Sequence, residues 1–340
     1  MLNVIADTNF PIDRTGIYST GNAILAHWPR HVWRLYSNQS TSFAGQSPRP
    51  MTELPADPRQ STLIFTHLEY KGLAQLLKIY PRALVHVGDW PGCYWRSVAQ
   101  NQSWLRGSAG ALASWAKIAK LPKSARLVFV SEADTAAALQ SGFKFAQTLH
   151  LGVTPPSVPL ADAIDPLTLC FTGSFRYAPN IDAAHALIEW GKQHPDFQIH
   201  IAGFYAKELS RCGSERLTLH EDVPSLPNFL ATHRPVYVSL LKTGAGAKNK
   251  ILEALTAGCP IIATPESLDG TTTDIGLIHQ VQSAGEIGPQ LARIKREAPF
   301  YSTATAELAR SVTAKRSWRS IAVQLEAMLA DTPSGPIPGL

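Results

Sequence analysis

The stretch 242–264, KTGAGAKNKILEALTAGCPIIAT, decides the fold. It follows an apolar run, PVYVSLL, that reads as a buried strand, and it closes on IIAT, which reads as the next one. Between them Gly244 and Gly246 allow a tight turn and bring backbone N–H groups close to an anion with no side chain in the way. A helix is expected from about Ala247 or Lys248. Gly258 suits its left-handed end, and Pro260 blocks continuation. Strand, glycine turn, helix and strand form the repeating unit of a doubly wound parallel sheet. The unsatisfied N–H donors and the dipole at the start of that helix favour phosphate, and Lys242, Lys248 and Lys250 surround the same point. Glu253, further along the helix, can accept hydrogen bonds from the two hydroxyls of a ribose. An ordinary crossover with lysines on its solvated face has the same pattern, so the turn alone leaves both readings open.

Outward from this unit the alternation continues. Aliphatic runs at 2–7, 32–37, 62–67, 83–89 and 126–131 are separated by helix-compatible segments, and a second series lies at 167–173, 197–203, 217–221, 235–241, 260–264 and 276–281. The fold class is therefore α/β, with two Rossmann-like doubly wound parallel sheets facing across a cleft. A length of 340 residues fits two domains of about 150. The expected domains are 1–155 and 156–315, with a C-terminal helix at about 316–333 packing back on the first. The hinge falls in the Pro/Ala/Asp-rich segment 152–166, and one or two helices close the chain within 303–330.

Composition narrows the setting. Four cysteines without a C-x-x-C pair fit a reduced compartment, and no run of about 18 apolar residues or leader-like start occurs. The expectation is a cytoplasmic protein. A net charge of +5 favours anionic partners without choosing among them. No Asp-x-Asp, H-E-x-x-H or paired-cysteine ligand set occurs, so no metal and no resident cofactor are expected. Neither series carries the G-x-G-x-x-G turn of a dehydrogenase.

Two features mark the first half. His86 and Asp89, in ALVHVGDW, are expected at the carboxyl end of a strand, where either could do acid/base work on a hydroxyl; a core histidine and a capping aspartate are the structural alternative. Between Asp89 and Glu132 there is no acidic residue, whereas Arg96, Arg106, Lys117, Lys120, Lys123 and Arg126 are interleaved with Trp90, Tyr94, Trp95, Trp104 and Trp115. Such a segment suits peripheral contact with an anionic membrane through 90–126; a solvated helix with some tryptophans in the core is the bland reading.

The motif G-x-G-x-K-N-K-I-L-E-A-L-x-A-G-x-P-I-I-A-T resembles the donor-binding signature of the family-four retaining glycosyltransferases, the group 1 transferases of exopolysaccharide and capsule type. LCFTGSFRYAPNIDA, at 169–183, is similar to the strand and glycine turn that open the donor domain there. The likeness spans about 126–320. It implies the GT-B fold and a nucleotide diphosphate sugar as substrate, with transfer by retention to a polysaccharide or lipid-linked glycan acceptor and no nucleic acid as partner. It places Gly173, Ser174 and Arg176 against the diphosphate or sugar, with Asn180 shaping the turn. Lys250 falls on phosphate, Glu253 on the ribose, and Val223 near the base. Lys242, Gly244, Gly246, Lys248 and Asn249 complete the donor set, and Gly16, with Arg14, stands in for the glycine loop of the acceptor domain. Ala245 occupies the position where many members carry a sugar-binding glutamate. A catalytically inactive nucleotide-sugar binder and a sugar-nucleotide epimerase of the same fold are the alternatives.

Overall fold

The computed structural model describes residues 1–8, 16–57, 59–213, 215–243, 248–268, 270–271 and 276–331. Two compact units emerge, Met1–Gly152 with Trp318–Leu340, and Val153–Ser317.

In the first unit the chain runs β1 (Leu2–Ala6), α1 (Gly16–Leu25), β2 (Trp33–Tyr36), β3 (Thr62–Phe65), α2 (Leu73–Ile79), β4 (Leu84–Gly88), α3 (Pro91–Asn101), α4 (Trp104–Ile118), β5 (Arg126–Phe129), α5 (Glu132–Gln140) and β6 (Phe145–Thr148). Among the described residues these strands form one parallel sheet in the order β2-β1-β3-β4-β5-β6. Both faces are covered, which is why the central strands read as continuous apolar runs. Ile5, Ile64, Val85 and Leu127 pack into one core layer, and Val4, Leu63, Leu84 and Val128 into the other. β6 has no strand signal in the sequence: FAQT is a half-exposed edge strand without an apolar run.

The second unit continues with β7 (Asp165–Thr172), α6 (Ala178–Lys192), β8 (Gln198–Gly203), β9 (Leu217–Glu221), α7 (Leu226–His233), β10 (Pro235–Ser239), α8 (Asn249–Thr256), β11 (Ile261–Ala263), α9 (Pro265–Leu268), β12 (Ile278–Gln280), α10 (Ile287–Arg296) and α11 (Ala298–Lys315). Its sheet, again parallel, has the order β12-β11-β10-β7-β8-β9. The chain moves outward from β7 to β9, then returns to the other side of β7 and moves outward from β10 to β12. The strand order reverses between β7 and β10, the position where open α/β sheets bind ligands at their carboxyl ends.

The last helix, α12 (Trp318–Ala330), belongs to the first unit. Ile321, Ala322 and Leu325 pack with Val4, Ile24 and Leu35. Its end is tied down by the buried Arg126 guanidinium, which donates to the carbonyls of Asp331, at 3.0 Å, and Met328. Local caps follow the sequence rules. Ser131 Oγ accepts from Asp134 N at 3.1 Å to open α5, and Gly258, at φ 69°, closes α8.

Candidate functional site

At the β7/β10 reversal the structure brings two segments together. The chain leaves β7 at Thr172 and turns through Gly173–Tyr177 into α6, where the half-turn is held by Asn180, whose Nδ2 donates to Ser174 O at 3.0 Å. From the neighbouring strand, α8 places Lys250 in its first turn, and the Lys250 Nζ donates to Asn180 Oδ1 at 2.6 Å. The ammonium also lies 4.6 Å from the centre of the Phe171 ring. Gly173 faces both partners: a Cβ there would stand 2.8 Å from Asn180 Nδ2 and 3.4 Å from Lys250 Nζ. A side chain at 173 would fill the space in front of the ammonium, so the turn is glycine for room.

Burial shapes the electrostatics of this corner. Desolvation, helped by the neighbouring Lys248 charge and opposed by Glu253, brings the Lys250 ammonium down to about 7. Glu253 lies three residues on, on the same face of α8, and burial raises its carboxyl while Lys250 lowers it. An incoming multivalent anion restores full charge to such an ammonium. The buried Tyr237 hydroxyl meets Thr172 Oγ1 at 2.9 Å and accepts from Thr172 N at 3.3 Å, tying the carboxyl end of β7 to the middle of β10.

The remaining donor-side expectations are distributed along the same sheet edge. Arg176 is exposed; its guanidinium lies 3.7 Å from the centre of the Tyr205 ring and pairs with Glu208 at 3.4 Å, beyond β8. Val223 is half-buried just after β9, two strands from β7, a spacing of about 10 Å. Lys242 and Asn249 are exposed, and Lys248 is the residue before α8. Gly244 and Gly246, like Ala245, lie outside the described residues, as does Arg14; Gly16 is the first residue of α1.

In the first unit the structure separates the two residues considered for catalysis. Asp89 is exposed at the carboxyl end of β4. His86 is a correction: it is 1% exposed, pairs in register with Phe65 and Val128 inside the sheet, and packs on the Phe65 ring at 5.4 Å. Among the described residues neither ring nitrogen has a hydrogen-bond partner, and burial lowers the imidazole to about 4, so His86 is a neutral core residue. It sits two residues before the strand end, and the chain kinks beyond it at Gly88, φ 73°.

Asp7 belongs to no motif in the sequence, yet the structure makes it a polar centre of the first unit. It stands at the end of β1, beside β3, where the strand order of the first sheet reverses. Its carboxylate is buried and accepts from Thr8 N at 3.0 Å, Gln39 Nε2 at 3.1 Å, Asn38 Nδ2 at 2.8 Å and Tyr70 OH at 3.0 Å. Burial first, and then the Asp7 charge, push the Tyr70 phenol up to about 12. The available signal was its position, a carboxylate directly after the first apolar run.

Residues 166–287 match the family described as Glycosyl transferases group 1. No curated protein matches the sequence. Among solved structures, HepE from Anabaena in complex with UDP is similar at a TM-score of 0.68 and 13% identity, over 97% of this chain and 100% of that one. A sucrose-phosphate synthase from Thermosynechococcus elongatus is similar at 0.70 and 14%, over 96% and 98%. WaaG, a glycosyltransferase of lipopolysaccharide biosynthesis, follows at 0.61 and 16%, over 98% and 100%. At such identities the likeness is one of fold, the GT-B fold of two Rossmann-like domains.

Proposed function

We propose that the chain, whose residues 166–287 match the group 1 glycosyl transferases, is an enzyme of the hexosyltransferase type with the following donor and acceptor. It takes a sugar from a nucleotide diphosphate sugar held by the second unit. It passes that sugar, with retention of anomeric configuration and without a metal, to a hydroxyl of a polysaccharide or lipid-linked glycan precursor at the cytoplasmic side. The observation that carries the donor half is the Lys250 ammonium, 2.6 Å from Asn180 and facing the side-chain-free space at Gly173, at the reversal of strand order. A diphosphate there meets Lys250 and the N-terminal end of α8. Glu253 takes the ribose, and the base lies toward Val223. Ser174 and Arg176 line the sugar side, with Lys242, Lys248 and Asn249 around the phosphates. Solved structures of similar fold hold UDP and UDP-glucose.

In the reaction, the acceptor hydroxyl meets the anomeric carbon on the face from which the diphosphate departs. The bond to the diphosphate breaks, the new C–O bond forms on that same face, and the hydroxyl proton passes to the departing phosphate oxygen, so the configuration is retained. The ammonium and the helix end stabilise the charge on the leaving group. Asp89, exposed at its strand end, orients the acceptor hydroxyl. The test is calorimetry of the purified protein against UDP, GDP, ADP, dTDP, CMP and NAD, with Lys250→Ala and Glu253→Ala alongside. One nucleoside diphosphate is expected to bind, and each variant to weaken it by about tenfold or more. No binding, or binding of NAD alone, would remove the donor site.

A further inference from the structure

The crossover from β4 to β5 contains two helices where one would cover the sheet. α4 packs chiefly against α3, and only its end, at Ile118, reaches the core layer. The contact is made by small residues: Gly107 meets Ala99, Gly110 meets the Trp95 ring, and a Cβ at either would collide with its neighbour. Buried Ser114, on the same face, accepts from Trp95 Nε1 at 2.8 Å and donates to Glu69 at 2.6 Å. That face is therefore locked inward, and the opposite one is fixed outward.

The outward face carries Trp104, Leu105, Leu112 and Trp115, with 70%, 73%, 68% and 66% of their surface exposed. At 100° per residue they span an arc of about 100°, and the tryptophans stand three turns apart, about 16 Å. Arg106, on the flank of α4 about 100° past the Leu105 edge of this arc, and Lys120, in the segment just after the helix, are both exposed, and neither is in an ion pair among the described residues. No acidic residue occurs from 90 to 131. No helix among the described residues is long and apolar enough to cross a membrane. A short helix with large apolar side chains, interface-seeking tryptophans and a cationic margin matches one surface, an anionic lipid leaflet in which the helix lies flat.

We propose that the outer face of α4 is an interfacial anchor that seats the first unit on an anionic bilayer, with the four apolar side chains below the headgroups and the basic margin among the phosphates. This gives the lipid-linked acceptor reading a definite surface without resting on the donor site. The test uses the full chain and vesicles of phosphatidylcholine with and without about one third phosphatidylglycerol. Co-sedimentation should favour the anionic vesicles and weaken as salt rises, and lipid-borne bromine should quench tryptophan fluorescence. The variant Trp104→Ser/Leu112→Gln/Trp115→Ser should bind about tenfold or more weakly and lose the quenching, and Arg106→Glu/Lys120→Glu should lose the preference for anionic vesicles. Circular dichroism and nucleotide affinity should stay unchanged in both variants. Overturning results are a wild-type chain that ignores anionic vesicles, variants that bind as the wild type does, or an apolar variant whose only change is from dimer to monomer. If vesicles bind and no nucleotide does, the donor reading falls and the anchor stands; the converse removes the anchor alone.

Discussion

Gly203, the last residue of β8, has φ 132° and is packed so closely on the carbonyl oxygen of Gly173 that a Cβ would collide with it. Two glycines from adjacent strands thus meet at the sheet edge, one for its conformation and for close approach, the other for the room it leaves before Lys250. Gly203→Ala is expected to cost about 2–4 kcal/mol, because it combines a disfavoured backbone angle with a backbone clash. Urea unfolding measures the cost, and an unchanged midpoint would sink this account of the corner.

Gly173→Ala acts differently. Its Cβ would meet Asn180 Nδ2 at 2.8 Å and Lys250 Nζ at 3.4 Å, both ends of side chains that can move. The expected outcome is a folded protein whose nucleotide affinity falls about tenfold, since the ammonium is displaced from its seat. Calorimetry against the bound nucleotide reads this directly; full affinity in a folded variant would mean that the ligand avoids Gly173.

How much of this corner was legible follows from how local its signals are. The strand, the helix and the Gly258/Pro260 stop lie within thirty consecutive residues, so apolar periodicity and two conformationally special residues sufficed to place β10, α8 and β11. The Lys250–Asn180 bond joins residues 70 apart, and periodicity carries no information on such a pairing. His86 was misplaced for a related reason. A buried parallel strand is apolar on both faces, so the sequence shows neither which way residue 86 points nor that the sheet ends two residues later. Asp7 was hidden by its partners, which come from two other loops.

Proton uptake tests the electrostatics of Lys250. Its folded value of about 7 lies below the ordinary 10.5, so at pH 8 the free amine is mostly neutral, and a bound diphosphate restores the charge. Nucleotide binding at pH 8 should take up about one proton, and affinity should fall as pH rises above 7. Stability of the ligand-free protein should move the opposite way. Between about 7 and 10.5 the unfolded chain binds more protons at this residue than the folded one, so its contribution to stability rises with pH. Calorimetry in buffers of different ionisation enthalpy counts the protons; a count of zero at pH 8 would show Lys250 charged throughout.

His86 gives a prediction at acid pH. Its folded value of about 4 lies below the ordinary 6.5, so between those limits the unfolded chain takes a proton that the folded chain refuses. Stability from this group is present above pH 6.5 and is lost as pH falls toward 4. His200, lowered to about 4 by burial and then by His220 and His233, adds to the same slope. His86→Leu should flatten the fall in thermal midpoint between pH 6.5 and 4 by removing one proton from the difference, leaving the contribution of His200. An unchanged slope would mean that the imidazole is not buried neutral.

Arg234 holds the second unit together in a way no pattern announces. It is 1% exposed, in a left-handed conformation at φ 39°, and among the described residues its guanidinium hydrogen-bonds to carbonyls and a hydroxyl rather than to a carboxylate. Its Nε donates to Gly258 O at 3.1 Å, Nη1 to Ala161 O at 2.7 Å, and Nη2 to Ser302 O at 2.6 Å and Thr305 Oγ1 at 2.8 Å. One guanidinium therefore ties the segment before β7, the end of α8 and the start of α11. The fork geometry lets one cation satisfy carbonyls that point from three directions, which an ammonium cannot do. Arg234→Met leaves those carbonyls buried without donors and should cost about 3–5 kcal/mol; Arg234→Lys restores part of the set and should cost about 2 kcal/mol. Both are read from the urea midpoint at constant slope. If methionine were tolerated without loss, as happens where an apolar side chain replaces a costly buried charge, then desolvation of the guanidinium already cancels its hydrogen bonds, and packing alone would secure α11 to this unit.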